Sequence, residues 1–374
     1  MSIYAFPLAF SIVNGLIFTG LFWLRSFRDE RQSDFLMGCT LLAACVYILD
    51  YTLGYMGIHV MYEAFQFFPF DVGLLIGPLL YFYLKSQLNI NFSFSRKEIK
   101  HFVPYAIYFS FHLLVFLTGK AGVQRFLETI HWPLHIGDVE MVLDLASNVF
   151  YLYLSLKLIQ EYQRWLPTQY ADIETISFNW YRIFLLVFAF SIAVNWVYVL
   201  IGMAGVSLDF SDIWWGKFVV AITIYFTCLR GYMQVQPKNL SFVQESIESS
   251  IENSIETTSE VPIPDLELWK KKVLNTMEAE KRFLEPEISL ADLANQLKTN
   301  TSFLSAVINK GFSKNFNDFV NEFRVQEFQK QIKLPENQNI TLLGVAFDCG
   351  FNSKTTFNRV IKKQTGKAPK EFLK

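Results

Sequence analysis

The chain has 374 residues, room for more than one domain, and 52% of them are hydrophobic, with 38 Phe. That composition excludes an ordinary soluble globule and a disordered chain, and a formal net charge of −1 excludes a chain basic or acidic throughout. The apolar residues are concentrated in 1–233, written for lipid, whereas 266–374 is written for water.

Seven apolar runs fall near 4–24, 35–57, 67–84, 102–118, 139–158, 180–202 and 213–233. Each is close to the roughly 20 residues a helix needs to cross the hydrocarbon core. The first run has no preceding basic residue and no small-residue cleavage site, so it is expected to be a retained span rather than a signal peptide. Lys and Arg resist translocation. The first, third and fifth loops hold nine of them (Arg25, Arg28, Arg31; Lys85, Arg96, Lys97, Lys100; Lys157, Arg164), while the others hold only Lys120 and Arg125. This asymmetry predicts an N-terminus outside, a cytoplasmic C-terminus and location in the inner (cytoplasmic) membrane. Aromatic residues near the predicted ends, Tyr4, Trp23, Trp132, Trp165, Trp180, Trp214 and Trp215, suit the interfacial belt.

Asp50, Asp144 and Lys217 fall inside these runs. An ionisable group at membrane depth persists with a partner or a function, which makes Asp50 and Asp144 candidates for signal sensing. Asn14, His112, Asn148 and Asn195 read as interhelical hydrogen bonders. Gly77-Pro78 reads as an interruption of the third span, without a counterpart elsewhere. His131 and His135 stand four apart near Asp138 and Glu140, but Pro133 between them disfavours the helix that would align both rings. No H-E-x-x-H or G-x-S-x-G motif occurs, so no catalytic site, metal or cofactor is expected. The four cysteines form no CxxC pair and read as buried, reduced thiols.

Residues 234–265 are acidic and lack Lys or Arg from 239 onward. Three copies of a Ser-Ile-Glu repeat, 246–257, place Ile247, Ile251 and Ile255 four apart. The segment reads either as a short helix that pairs with its copy or as a flexible tether. The tether is favoured because Ser, Thr and Glu bury little and a four-residue spacing drifts around a 3.6-residue helix.

From 266 to 374 the chain holds eighteen Lys or Arg against twelve Asp or Glu, which suits a polyanionic partner. Ser289 can cap a helix carrying Leu290, Leu293, Ala294 and Leu297, and a turn at 298–300 leads into a second helix over 301–310. The layout recurs with Thr341 as cap, Leu342, Val345, Ala346 and Cys349 on one face, Gly350 as terminator, and Asn352 or Ser353 capping a last helix. A long amphipathic helix over 316–333 separates the two helix-turn-helix units.

The residues 288–294, 303–305, 315–324, 346–351 and 357–359, with Lys362, Lys363, Gly366 and Pro369, make this region resemble the C-terminal domain of AraC/XylS-type transcriptional regulators. The resemblance implies two recognition helices in successive major grooves of double-stranded DNA, read by their N-terminal parts. It assigns reading positions to Ser302, Ser305 and Ala306 in the first unit and to Lys354, Thr355, Asn358 and Arg359 in the second. Ala306 replaces a long polar side chain and Ile361 a Phe, so the second unit is expected to discriminate more. Lys310, Lys362 and Lys363 suit phosphate contacts.

The combined expectation is an all-α protein: a seven-helix transmembrane sensor domain (1–233), an acidic linker (234–265) and a cytoplasmic DNA-binding domain (266–374). It would act as a membrane-anchored one-component regulator that receives an unidentified small-molecule or membrane signal, possible as a homodimer. The alternatives are a transporter or intramembrane enzyme with a self-regulating DNA-binding tail, and a receptor whose tail binds protein.

Overall fold

A computed structural model describes residues 3–58, 65, 67–174, 176–206, 209, 211–234, 242, 265–337 and 339–373. The Ser-Ile-Glu repeat lies outside the described residues. What is described is helical, with one isolated antiparallel bridge between Tyr170 and Ser289. The chain forms two compact units, Met1–Ile159 with Asn179–Val243, and Gln160–Phe178 with Gln244–Lys374.

In the first unit the main helices are α1 (Ala5–Asp29), α2 (Gln32–Tyr55), α3 (Gly73–Leu88), α4 (Val103–Phe116), α5 (Ile136–Gln169, as far as Ile159), α6 (Asn179–Met203) and α7 (Trp214–Met233). They fall on the seven apolar runs of the sequence. Among the described residues five helical stretches are long and apolar enough to cross a membrane: Ala5–Asp29, Gln32–Tyr55, Arg96–Phe116, Ile136–Gln169 and Asn179–Ile201. Helices α3 and α7 fall outside that set. At 16 residues, α3 is about 24 Å long, short of the roughly 30 Å hydrocarbon core.

Helix α1 packs along α2 and α7, and α2 along α3. At the α1–α2 turn, Arg25 grips Asp34 with two hydrogen bonds of 2.6 and 2.7 Å, and a third nitrogen donates to the Tyr232 carbonyl at 2.7 Å. Asp34 is fully buried, so this is a desolvated pair satisfied on all sides rather than a surface charge. The sequence reading used Arg25 only as an orientation marker.

Three sequence expectations change here. Helix α3 runs through Gly77-Pro78 without interruption. Pro78 stands in the second turn, where it removes one N–H bond near the helix end, and a Cβ on Gly77 would come 3.1 Å from the Tyr151 ring. Asn14 and Asn195 donate to carbonyls four residues back in their own helices, Phe10 and Ser191, both at 2.8 Å. His112 does bond between helices, to Glu140 at 2.8 Å. The cysteines are free, and Cys45, Cys228 and Cys349 are buried.

The second unit contains α8 (Leu266–Ala279), α9 (Leu290–Gln296), α10 (Thr301–Phe312), α11 (Phe316–Gln331), α12 (Leu342–Asp348) and α13 (Lys354–Thr365). Two cores flank α11. Val273, Leu290, Leu293, Leu304, Phe316 and Phe319 belong to one, and Phe328, Val345, Ala346, Phe351, Phe357 and Ile361 to the other. The segment 160–178, which the sequence reading placed with residues 1–233, joins this unit because Ala171 is buried in the first core.

Candidate functional site

Helices α9 to α13 each start on a side chain that satisfies an otherwise orphaned backbone N–H. Ser289 and Asp292 form a reciprocal capping box at α9. Asn300 accepts from Phe303 N at 2.7 Å, Thr341 from Gly344 N at 3.1 Å, and Ser353 from Thr356 N at 3.1 Å. Of the two caps considered for the last helix, the structure uses Ser353. Ala294 and Ala346, one in the first helix of each pair, are buried.

Arg324, on the connecting helix α11, is fully buried. Its Nε donates to Phe283 O and its Nη2 to Glu285 O, both at 2.8 Å. Burial pushes the guanidinium down to about 10, opposed by the charge of Asp172, so it stays cationic at neutral pH. Burial likewise pushes the Cys349 thiol up to about 12, leaving it protonated and inert.

Helix α13 buries Thr356, Phe357, Val360 and Ile361 and exposes Lys354, Thr355, Asn358, Arg359, Lys362 and Lys363. The structure therefore brings the second set of candidate readers onto one solvent-facing side. Lys363 donates to Asp318 at 2.6 Å, whereas it was expected to meet phosphate. Arg359 Nε lies 3.4 Å from Glu174 Oε1. On α10, Ser302 and Lys310 are exposed and Ser305 and Ala306 half-buried. Asn309 is exposed on the same helix and donates to Ser305 at 3.5 Å. The sequence reading overlooked it, although it stands seven residues from Ser302 and offers the polar reach that Ala306 lacks.

Glu174 was also missed. It is 185 positions from Arg359, a separation at which no local pattern signals contact. The turn that holds it is built locally: Glu174 N donates to Asp172 Oδ1 at 3.2 Å, and Ser177 Oγ to Glu174 O at 3.0 Å.

The two membrane candidates part ways. Asp144 lines a cavity of about 120 Å³ among the helices of the first unit, with Tyr47, Asn148, Phe188 and Asn195 among its other walls. Asn148 Nδ2 donates to Asp144 Oδ1 at 2.9 Å. Asp50 is outside that lining and half-buried. Lys217 is buried; its Nζ donates to Tyr47 OH at 3.2 Å and lies 4.0 Å from the Tyr51 ring centre, which partly replaces its lost hydration. His131 packs on Phe67 and Phe126, while His135 pairs with Asp138 at 3.1 Å. Among the described residues no cluster of three His, Cys, Asp or Glu could hold a metal.

These elements define a paired helix-turn-helix DNA-binding domain. Residues 293–374 match the family model described as helix-turn-helix domain, and they carry the AraC-type form of it. No curated protein and no solved structure matches the chain. A domain of this type makes DNA a partner and points to transcription regulation.

Proposed function

We propose that the chain is a membrane-anchored, one-component transcriptional regulator. Its seven helices α1–α7 cross the inner membrane with the N-terminus outside, and the C-terminal domain binds operator DNA sequence-specifically in the cytoplasm. The observation that carries this reading is the AraC-type domain at 293–374 in a chain with five membrane-competent helical stretches.

The packing of segment 170–174 with the C-terminal domain supports α7 as a crossing. Two pieces that share a core lie on one side of a membrane, so an even number of crossings separates them. Among the described residues, α6 and α7 are the two main helices between them. With α6 as a crossing, α7 must be one too, although it is less apolar. The basic-residue asymmetry independently assigns the fifth loop and the tail to the same, cytoplasmic side.

On the DNA side, Lys354, Thr355, Asn358 and Arg359 read base edges, with Ser302, Ser305 and Ala306 contributing less. Lys310, Lys362 and Lys363 contact phosphates. Asp144, which lines a cavity among the helices, is the better of the two sensing candidates; Asp50 is the other. Selection of duplexes from a random pool by the full-length chain in detergent tests the proposal. A recovered motif whose binding weakens steeply with salt is expected, and recovery of no motif would reject it.

A further inference from the structure

Residues 170–174 connect two helices that the proposed topology places in the membrane, yet they are built into the DNA-binding domain. Ala171 is fully exposed to core rather than water, at 0% accessibility, inside the cluster formed around Leu290, Leu304 and Phe319. Its N–H donates to Ile288 O at 3.2 Å, and its carbonyl accepts from Asn317 Nδ2 at 2.6 Å and Asn321 Nδ2 at 3.4 Å. Tyr170 pairs with Ser289 in an antiparallel bridge. Asn317 and Asn321 are themselves buried, so this face of α11 is a polar socket matched to a passing backbone. Three residues further, Glu174 reaches Arg359 on the candidate reading face.

We propose that segment 170–174 is a latch: docked on the DNA-binding domain, it occupies Arg359 through Glu174 and lowers affinity for DNA. The inference rests on the DNA-binding reading above and adds the route by which a membrane event reaches it. A carboxylate on a guanidinium takes donors that would otherwise meet guanine or phosphate, and its charge repels an approaching backbone. The docked contact is reversible in kind. Release exposes amides and carbonyls that water can satisfy, one methyl side chain and the buried carboxylate of Asp172, which water also solvates. The segment is also short. Nine residues, 170–178, join α5 directly to α6, so a shift of either helix pulls on the latch, whereas residues 234–265 separate α7 from α8.

Tyr170→Cys with Ser289→Cys tests the latch in the full-length chain in detergent micelles, against each single variant and the wild type. Bridge partners stand about 4.5–5.5 Å apart at Cα, within disulfide reach, so oxidation should close the latch covalently. The expected result is rapid disulfide formation, at least about tenfold weaker binding of the duplex selected by the wild type, and recovery on reduction. Glu174→Gln keeps the shape and removes the charge; it should bind the same duplex about two- to fivefold more tightly, the scale of a half-exposed ion pair. A disulfide that does not form, equal affinity of oxidised and reduced chains, or wild-type affinity in Glu174→Gln overturns the latch. Equal duplex binding by all chains overturns the latch alone; absence of duplex binding from all of them overturns the DNA-binding reading as well.

Discussion

A Cβ built on Gly73 would stand 2.3 Å from Oδ1 of Asp144, so the start of α3 reaches that carboxylate only because residue 73 has no side chain. Asp144 cannot swing freely, since Asn148 holds the same oxygen. Gly73→Ala is expected to lower thermal stability in detergent, with overpacking costing about 1–3 kcal/mol. Asp144→Ala in the Gly73→Ala background should recover much of the loss, and Asp144→Asn, of equal size, should not. Additive effects in that cycle would show that the two residues do not meet.

The sensing assignment separates Asp144 from Asp50. Asp144→Asn is expected to change the output of a transcriptional reporter while membrane levels stay normal, and Asp50→Asn to change it less, because only Asp144 lines the cavity. Unchanged output from both variants would leave these carboxylates as structural groups.

The reading and anchoring roles on α13 differ in their dependence on sequence. Lys354→Ala and Arg359→Ala should each lose about 1–3 kcal/mol on the selected duplex and less on random DNA. Lys362→Ala should weaken binding to both and flatten the salt dependence. Lys363→Ala should do so less, because Lys363 already pairs with Asp318. Titration by fluorescence anisotropy at several salt concentrations distinguishes them; equal losses on both duplexes for all four would reject the assignments.

Gly350 has φ +91°, and a Cβ there would lie 2.5 Å from the Phe283 carbonyl. Ala at this position combines a left-handed backbone with an overlap against main chain that has little freedom to retreat, a cost of about 2–4 kcal/mol. Hydrogen exchange should show faster opening of 282–289 and 342–351 in Gly350→Ala. Wild-type protection in both segments would contradict the close approach.

Topology is open to reporter fusions. Fusions after Glu30, Asn91 and Gln234 are expected to report cytoplasm, and fusions after Gly57 and Asp209 the exterior. A cytoplasmic report at Asp209 would remove α6 and α7 as crossings, and an exterior report at Gln234 would separate the domain from its DNA.

The helices of the C-terminal domain were legible because their signals are local. A capping Ser, Thr or Asn, an apolar stripe at helical spacing and a terminating glycine act within a few residues, so Ser289, Thr341 and Gly350 stand where the sequence alone put them. The apolar runs likewise fixed where the helices of the first unit lie, since the cost of placing backbone in lipid depends on composition and length. The ends of those helices were less legible: α3 begins six residues later than its apolar run, and α5 extends well beyond its own, because termini answer to packing as much as to hydropathy. What the sequence could not supply is every relationship that closes a long loop. Arg25 with Asp34 and Tyr232, Asp144 against Gly73, Arg324 beneath Phe283 and Glu285, and Glu174 on Arg359 join residues from 9 to 207 positions apart. Partners at such separations are chosen by the tertiary fold, which alone decides which charge is buried with which, and which loop enters the DNA-binding core.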